Sequence, residues 1–547
     1  TTSLKVVLSL NSLNTKFKLP DSIACITNMI QESAALAANG DLKYQEILLE
    51  IEKRHLSCIK ELIPIKTQSK VLSQIKQQLN ALGTLHEGVY LLKELSPTTK
   101  DHMLGFGELL SYFIIAKAAE VQKLDVGLKN ARDLIFTSED LGKNMVDYTK
   151  TFESIRSYFK TVEHRITIVP GFVASDLNGV PTTLGRGGSD LTAALFASAL
   201  DADQLEIWTD VSGMFTAHPK YVKQARAIKQ LSYHEAMELS HFGAKVIYPP
   251  TLQPVAEKNI PVVVKNTFQP NEPGTFISNK SASNGEVVRG ISYIENIALL
   301  TLEGSGMIGI PGYSKKLLST LAKAKINVIM MTQASSEHSI CIGIENDLAT
   351  QAKKLIEKDF DYEIETQRIN PISIENNLSI IALVGEKMKS FQGISGKMFS
   401  ALGRNNVNVK AIAQGASERN ITAVIDSANT KQALNILHEA FFEEDIKQIN
   451  LFVTGVGNVG SKLIEQLNSQ KEYLQNQMRL NIIVSGISNS RKMLIDANGI
   501  DLDHWNELLD KGEKADPSTF FEHIKNLNLR NSIFVDNTAN EDIAHTY

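Results

Sequence analysis

Residues 181–200, PTTLGRGGSDLTAALFASAL, run from a glycine-rich loop into an apolar helix. The loop is not of the Walker type, because no Gly-Lys-Ser/Thr follows the glycines. Three glycines flank Arg186, and Ser189 and Asp190 stand at the predicted helix start. A guanidinium binds a carboxylate through two hydrogen bonds, while N–H groups at a helix start hold a neighbouring anion. The stretch therefore predicts a small-anion site; the alternative is a loop in which Asp190 only caps the helix.

Short apolar strands and amphipathic helices alternate on both sides of this loop. RITIVPGFVASD (165–176), QLEIWTDVSG (204–213) and PVVVKNTF (261–268) have the composition of strands that end in glycine or polar turns. Residues 20–160 show mainly the 3.6-residue period of helices. This order predicts a layered α/β domain.

An internal repeat follows. KINVIMMTQASSEHSI (325–340) recurs as NVNVKAIAQGASERNI (406–421), and each copy comes after an apolar strand and a helix with glycine near its start. The pattern predicts a strand–helix–strand–strand–helix unit present twice. Two copies are too few for a solenoid, so we expect a pair of packed α/β modules.

A second glycine motif, VTGVGNVG (453–460), fits G-x-G-x-x-G through Gly455, Gly457 and Gly460, with Asn458 and Val459 between them. A strand precedes it, a helix follows it, and a further strand, LNIIVSGIS (480–488), comes next. This context predicts a dinucleotide site in which the pyrophosphate meets the helix start; the alternative is a simple glycine turn.

The residues after that further strand indicate which dinucleotide is bound. A carboxylate at this point favours NAD, whereas an arginine favours the 2′-phosphate of NADP. The chain has Arg491 and Lys492 here and no acid, which favours NADP, unless the pair is only solvated surface. Asn537 and Thr538, at the end of a later strand, are expected near the nicotinamide ribose.

The composition is ordinary for a soluble globular protein. A net charge of −5 gives no reason to expect nucleic acid or an anionic membrane as partner. Cys25, Cys58 and Cys341 lack metal-ligand spacing and no metal site is predicted, so they are expected to be reduced residues of a cytoplasmic protein. No apolar run approaches 18 residues.

Four long blocks resemble aspartokinase with its regulatory ACT-domain pair: VPGFVASDLNGVPTTLGRGGSD, LEIWTDVSGMFTAHPK, LSYHEAMELSHFGAKVIYPPT and LTLEGSGMIGIPG. With VTGVGNVG after them, the order resembles bifunctional aspartokinase–homoserine dehydrogenase. The resemblance implies an amino-acid kinase three-layer fold, two ferredoxin-like ACT modules and a Rossmann-type nucleotide-binding domain. The domain bounds expected from it are 1–278, 290–370, 375–447 and 448–547.

The resemblance also implies what the chain does. ATP with Mg²⁺ phosphorylates L-aspartate to 4-phospho-L-aspartate, and NADP serves the interconversion of aspartate semialdehyde and homoserine. The matching positions are Glu108, Arg186, Ser189 and Asp190 at the aspartate and phosphate end, and Thr209, Asp210, Phe215, Lys220 and Lys245 on the nucleotide side.

The chain departs from the family pattern at several points. The family's opening Lys-Phe-Gly-Gly-Thr-Ser has no counterpart here, and its Glu-Arg-Leu-Ser reads Glu-Leu109-Leu-Ser. Its Asp-Val-Asp-Gly has Ser212 at the third position, and its Asp-Pro-Arg reads His218-Pro219-Lys220. Loss of a phosphate-facing lysine removes transition-state stabilisation, so a poor or inactive kinase is predicted. The dehydrogenase catalytic region is expected to be missing after Tyr547.

In the ACT pair, Asn327 and Gln333 of the first copy correspond to Asn408 and Gln414 of the second. Amide side chains can read the carboxylate, ammonium and hydroxyl of a free amino acid. The resemblance makes threonine the first choice of effector and lysine its rival, and the alternative is a duplication that binds nothing. A homodimer or homotetramer is expected by analogy.

Three functions stay open on the sequence. The first is the bifunctional enzyme, and the second is a non-catalytic regulatory protein that binds amino acids and nucleotides. The third is an aspartokinase fused to an NADP-sensing domain. The departures at Leu109, Ser212, His218 and Lys220 lie inside the chain and favour the second reading slightly.

Overall fold

The structure is a computed structural model that describes residues 6–8, 26–140, 143–241, 246–280, 286–333, 338–415, 417, 419–443, 447–478, 480–529, 531–539, 543 and 545. The chain divides into two compact units. The first consists of Thr1–His218, Ala225–Gly396 and Val407–Thr430, and the second of Pro219–Gln224, Lys397–Asn406 and Lys431–Tyr547. In the described part of the chain, no helix combines the length and apolar character needed to cross a membrane.

Residues 26–121 form helices whose apolar faces share one core. The helices are α1 Ile26–Ala38, α2 Tyr44–Leu62, α3 Ile65–Leu92 and α4 Pro97–Val121. On α2, the buried Ile51, Cys58 and Ile59 recur at helical spacing, which places them on one face. Ser96 starts α4 by accepting a hydrogen bond from Thr99 N at 3.1 Å, and Pro97 occupies the first helical position.

Small sheets flanked by helices make up the rest of the α/β region that the sequence predicts. The strands are β1 Val6–Leu8, β2 Val126–Leu128, β3 Phe136–Asp140, β4 Lys143–Val146, β5 Ile166–Ile168, β6 Val173–Asp176, β7 Pro181–Thr183, β8 Leu205–Thr209, β9 Gln230–Ser232, β10 Val262–Asn266 and β11 Thr275–Ser278. The helices are α5 Tyr148–Thr161, α6 Gly188–Ala199, α7 Tyr233–His241 and α8 Pro249–Ala256.

The strand orders are β1-β5-β2, β4-β3-β6-β7 and β8-β10-β11-β9. The first sheet is entirely parallel, and β8 also runs parallel to β10 with Thr209 opposite Asn266. Polar residues therefore follow the carboxyl ends of a parallel pair, the usual place for a ligand in α/β proteins.

The repeat forms the two modules that the sequence predicts, and they share a single six-stranded sheet. The first copy contains β12 Gly290–Glu303, α9 Tyr313–Lys323, β13 Met330–Gln333, β14 Ser339–Glu345, α10 Ala349–Asp359 and α11 Asp361–Glu365. The second contains β15 Ser373–Val384, α12 Ile394–Arg404, β16 Ala411–Gln414, β17 Asn420–Asp426 and α13 Thr430–Phe442. The strand order β13-β14-β12-β15-β17-β16 is symmetric about the antiparallel β12–β15 pair, so the first strand of each copy joins the modules.

The C-terminal residues form a five-stranded sheet in the order β21-β20-β19-β18-β22. Its elements are β18 Lys447–Thr454, α14 Asn458–Ser469, α15 Lys471–Asn476, β19 Leu480–Ser488, β20 Lys492–Ile495, α16 Trp505–Asp510, β21 Glu513–Lys514, α17 Pro517–Leu527 and β22 Ser532–Asp536. The central β18 runs parallel to both β19 and β22. The glycine motif therefore lies in the turn of a βαβ unit.

Candidate functional site

The glycine-rich loop at 185–188 adopts a backbone that only glycine tolerates easily. Gly185 and Gly187 have φ of 68° and 70°, in the left-handed region. A Cβ on Gly187 would also overlap the side chain of Tyr248. Helix α6 begins at Gly188 with Gly187 at its N-cap position and no side-chain cap, so Asp190 lies in the first turn instead of capping the helix.

Four residues predicted at the aspartate and phosphate end line one cavity of about 310 Å³. They are Glu108 from α4, Arg186 from the loop, and Ser189 and Asp190 from the first turn of α6. The cavity thus brings together an exposed guanidinium, a helix start and two carboxyl groups. This set can hold a small zwitterion, because it offers donors for anionic groups and a carboxylate for an ammonium.

Glu108 and Asp190 both have raised pKa values in this cavity. The Oε2 atom of Glu108 is buried and has no hydrogen-bond partner among the described residues. Burial raises the pKa of Glu108 to about 7, and a hydrogen bond with the Ser189 side chain acts in the opposite direction. Burial likewise raises the pKa of Asp190 to about 6. A cation that binds beside such a buried carboxyl group stabilises its ionised form.

Two further residues of this cavity were not identified from the sequence. Thr27 lies on α1, and its Oγ1 would be 3.1 Å from a Cβ on Gly107 of α4, so the first helix closes one wall. Phe172 lines the cavity with φ of 68°, and its N donates to Thr192 Oγ1 at 3.1 Å. A left-handed aromatic residue is uncommon, and the preceding Gly171 was the only sequence signal for it.

The nucleotide-side predictions fall in different places. Thr209 ends β8, and its hydroxyl donates to Asp210 Oδ1 at 3.1 Å, so both stand at the carboxyl edge of the β8–β10 pair. Phe215 follows in a segment that pairs with Ala227. Lys220 is exposed and belongs to the second compact unit, and Lys245 lies outside the described residues.

Ser212, where the family pattern has an aspartate, is hydrogen-bonded through its side chain. The Ser212 hydroxyl is 3.0 Å from Gln269 Oε1 and 2.9 Å from Asn266 Nδ2. Serine therefore links the loop after β8 to the end of β10, where a family aspartate would add a negative charge.

In the ACT pair, Gln333 ends β13 and lines a cavity of about 350 Å³ with the loop 309–312, Tyr313 and Ile340. Gln414 ends β16, and its register partner Ile421 corresponds to Ile340 of the first copy. Asn327 and Asn408 are exposed in the segments between helix and strand. The structure thus keeps both pairs of amides at equivalent positions.

The second glycine motif also has close packing around it. Gly455 has φ of 87°, and a Cβ there would lie 2.8 Å from Asn537 C and Thr538 N. A Cβ on Gly460 would overlap the Gly455 carbonyl, whereas the space beside Gly457 is open. The three glycines thus have different surroundings: Gly455 makes a tight turn, Gly460 packs closely, and Gly457 leaves open space.

A cavity of about 450 Å³ opens beside this turn. The residues lining it are Thr454, Gly455, Ser488, Asn489, Ser490, Ala515, Asp516, Pro517, Phe520, Phe521, Phe534, Thr538 and Ile543. Asn537 Nδ2 is buried without a hydrogen-bond partner in the described structure, and Thr538 donates through N and Oγ1 to Asp536 Oδ1. The sequence did not indicate the aromatic wall, which comes from α17 and β22.

The two cations after β19 differ in their surroundings. Lys492 Nζ donates to Gly512 O at 2.8 Å, so this ammonium is engaged with the chain rather than positioned for a phosphate. Arg491 is exposed, and its backbone N donates to Asn489 Oδ1 at 2.8 Å. Asn458 and Val459 are exposed at the start of α14. Among the described residues, no three His, Cys, Asp or Glu side chains gather closely enough to hold a metal ion.

Comparisons with known proteins identify the domains. The amino acid kinase family matches residues 33–266, and the ACT domain matches residues 300–360 and 381–441. The chain is 34% identical over 541 residues to the chloroplastic bifunctional aspartokinase/homoserine dehydrogenase 1 of Arabidopsis thaliana, covering 97% of this chain and 59% of that protein. It therefore spans about three-fifths of the length of such bifunctional relatives.

A shorter relative and a solved structure cover the same domains. The chloroplastic aspartokinase 3 of Arabidopsis thaliana is 32% identical over 403 residues, covering 71% of this chain and 70% of that protein. The crystal structure of E. coli aspartokinase III in complex with aspartate and ADP has a TM-score of 0.68 and 26% identity, covering 80% of this chain and 99% of that one. The chain belongs to the aspartokinase family, with an amino-acid kinase fold followed by a pair of ACT domains.

Proposed function

We propose that this chain transfers the γ-phosphoryl group of ATP to the side-chain carboxylate of L-aspartate, giving 4-phospho-L-aspartate. The observation that carries the proposal is the cavity in which Glu108, Arg186 and Ser189 converge at the start of α6. The E. coli aspartokinase III structure, which holds aspartate and ADP, supports the choice of substrates.

In this proposal each group has a separate task. Glu108 pairs with the substrate ammonium, which supplies a partner for its buried Oε2, an atom with none among the described residues. Arg186 binds a substrate carboxylate through its planar guanidinium. The first-turn N–H groups of α6 stabilise charge on the phosphoryl group, and catalysis follows from positioning and charge neutralisation. Mg²⁺ would arrive with the nucleotide phosphates.

The departures predict a slow kinase. Leu109 packs into the core beneath α6, where the family pattern has an arginine, and Ser212 replaces an acid at the end of β8. Each change removes a charge that the family pattern carries, and phosphoryl transfer depends on balancing charge.

The test is an aspartyl hydroxamate assay with aspartate, ATP and Mg²⁺, run with an ADP-release assay. Aspartate-dependent product and its loss in Arg186→Ala support the proposal. A chain that binds aspartate by calorimetry but forms no hydroxamate would support the second reading, a regulatory protein without catalysis. The four departures from the family pattern favour that second function slightly.

We also propose that the C-terminal part is a Rossmann-type domain that binds NADP. The turn at 455–460 fits a pyrophosphate, because Gly457 leaves open space at the start of α14. Arg491 would hold the 2′-phosphate, and Asn537 and Thr538 would face the nicotinamide ribose. NADPH would donate a hydride to aspartate semialdehyde, and NADP+ would accept one from homoserine, in the second activity in the name of the bifunctional relatives.

For the ACT pair we propose an amino-acid effector bound near Gln333 and Gln414. Threonine is the first candidate, and the E. coli aspartokinase III structure with lysine and aspartate supports lysine as the rival. Calorimetric titration with each amino acid separates them, and Gln333→Ala should abolish binding at the first module. The homodimer or homotetramer and the cytoplasmic location stay proposals, to be checked by light scattering and by fractionation.

A further inference from the structure

Glu235 stands at the start of α7 and holds that start in place. Ser232 and Glu235 form a reciprocal capping box, in which Ser232 N donates to Glu235 Oε2 at 2.9 Å and Glu235 N donates to Ser232 Oγ at 3.2 Å. A capping box needs only one carboxylate oxygen. The other oxygen of Glu235, Oε1, makes separate contacts.

That second oxygen faces the ACT pair. Glu235 Oε1 accepts a hydrogen bond from Glu386 N, just after β15, at 3.1 Å. Arg289 Nε lies 3.5 Å from the same oxygen, and both side chains are only 1% exposed. Arg289 also reaches Glu286 Oε2 through Nη1 at 3.1 Å. A buried charge pair tolerates little displacement, because separation leaves both charges without water.

The body of α7 makes further bonds to the same sheet. Asn420 of β17 donates through Nδ2 to Glu238 Oε2 at 2.7 Å, and Ser292 of β12 donates to Leu239 O at 2.8 Å. A Cβ on Gly290 would lie 2.7 Å from Leu239 Cδ2, so sheet and helix are in close contact. Both ACT modules therefore hold α7 along its length.

Helix α7 also packs against α8, which contacts the glycine-rich loop. Ala236 and Leu239 pack with Leu252 and Val255 of α8 in one buried cluster. Tyr248 is the N-cap residue of α8, and its side chain occupies the space that a Cβ on Gly187 would need. A shift of α7 would thus be passed through α8 to the loop that carries Arg186.

We propose that α7 positions the glycine-rich loop, and that the ACT pair acts on the loop by holding α7 through Glu235 and Glu238. The assignment of that loop to aspartate rests on the proposed function, but the mechanical link does not. An effector bound to the ACT pair changes the loop only if it favours one position of the sheet against α7.

The experiment measures hydrogen–deuterium exchange of peptides covering 184–191 and 247–256. Asn420→Asp places two carboxylates in contact, and Glu238→Gln with Asn420→Asp restores a hydrogen bond with donor and acceptor exchanged. Lys410→Ala, which removes the Lys410–Glu375 ion pair elsewhere in the second module, is the matched control.

We expect Asn420→Asp to speed exchange in both peptides by about threefold or more, the scale of mutations along coupling networks. The double variant should return exchange to the wild-type rate, and Lys410→Ala should leave it unchanged. Faster exchange confined to β17 and α7, or equal changes in Lys410→Ala, would overturn the proposal. This readout needs no kinase activity, so an inactive chain would refute the proposed function alone.

If the protein is active, the same variants should differ in KM for aspartate and not in kcat. Asn420→Asp should raise KM for aspartate by about threefold or more and leave kcat nearly unchanged, because the loop is displaced without loss of any group in it. The double variant should restore KM. A fall in kcat with constant KM in Asn420→Asp, not rescued by the double variant, would contradict positioning of the loop through α7.

Discussion

Replacing Glu108 by glutamine should have opposite effects on the stability of the protein and on its affinity for aspartate. Burial raises the pKa of this carboxyl from 4.5 to about 7, so the ionised form costs the free protein about 3 kcal/mol. Between these two pKa values the folded state binds more protons than the unfolded state. The contribution of Glu108 to stability is therefore lost as pH rises from 4.5 through 7, and it stays lost above 7.

Glutamine keeps the shape of the side chain and never ionises. We expect Glu108→Gln to match the wild type in unfolding free energy near pH 4.5 and to exceed it by up to about 3 kcal/mol at pH 8. Because the chain has several domains, the measurement should follow native-state hydrogen exchange of α4 at several pH values.

Binding should change in the opposite direction. Without its buried ionised partner, the substrate ammonium loses about 3 kcal/mol of binding free energy. The affinity for aspartate should therefore fall about 100-fold in Glu108→Gln at pH 8. In the wild type, affinity should drop about tenfold per unit as pH falls below 7, since Glu108 must release its proton. Equal stability gains at pH 5 and pH 8, or unchanged calorimetric affinity for aspartate, would refute the assignment.

Three further outcomes are expected. Gly187→Ala should destabilise the kinase domain by about 2 kcal/mol or more, because of its φ of 70° and its overlap with Tyr248. Gly83→Ala, in open space within α3, should instead stabilise the domain by about 1 kcal/mol. Urea unfolding monitored by hydrogen exchange compares the two variants. Burial lowers the pKa values of His55 and His86, so their contribution to stability is present above pH 6.5 and is lost as pH falls below it. Amide protection factors in α1–α4, which correct for the intrinsic pH dependence of exchange, should therefore fall between about pH 7 and 5, and unchanged protection factors would contradict this. Arg491→Ala should weaken NADPH binding about tenfold or more and leave NADH binding unchanged, as measured by cofactor fluorescence; equal losses for both would remove Arg491 from the 2′-phosphate.

The two glycine loops and the internal repeat could be predicted from the sequence, because each depends on residues that are close together in the chain. Clustered glycines mark tight turns and close packing, because glycine adopts φ near +70° more readily than most residues. The loops at 185–188 and 455–460 could therefore be predicted. The repeat was equally clear, since 325–340 and 406–421 carry the same pattern of apolar and polar residues.

Other features depend on contacts between distant segments, and no short window of sequence contains them. Thr27 joins the cavity of Glu108 only because α1 packs against α4, and the Lys492 ammonium donates to the carbonyl of Gly512, which is distant in sequence. The union of both ACT modules in one sheet and the buried Arg289–Glu235 pair are likewise set by packing. The sequence determined the local backbone and the order of the modules, because propensity and glycine geometry act over a few residues. Tertiary structure alone decided which charges are buried together, because desolvation depends on every segment that excludes water from the site.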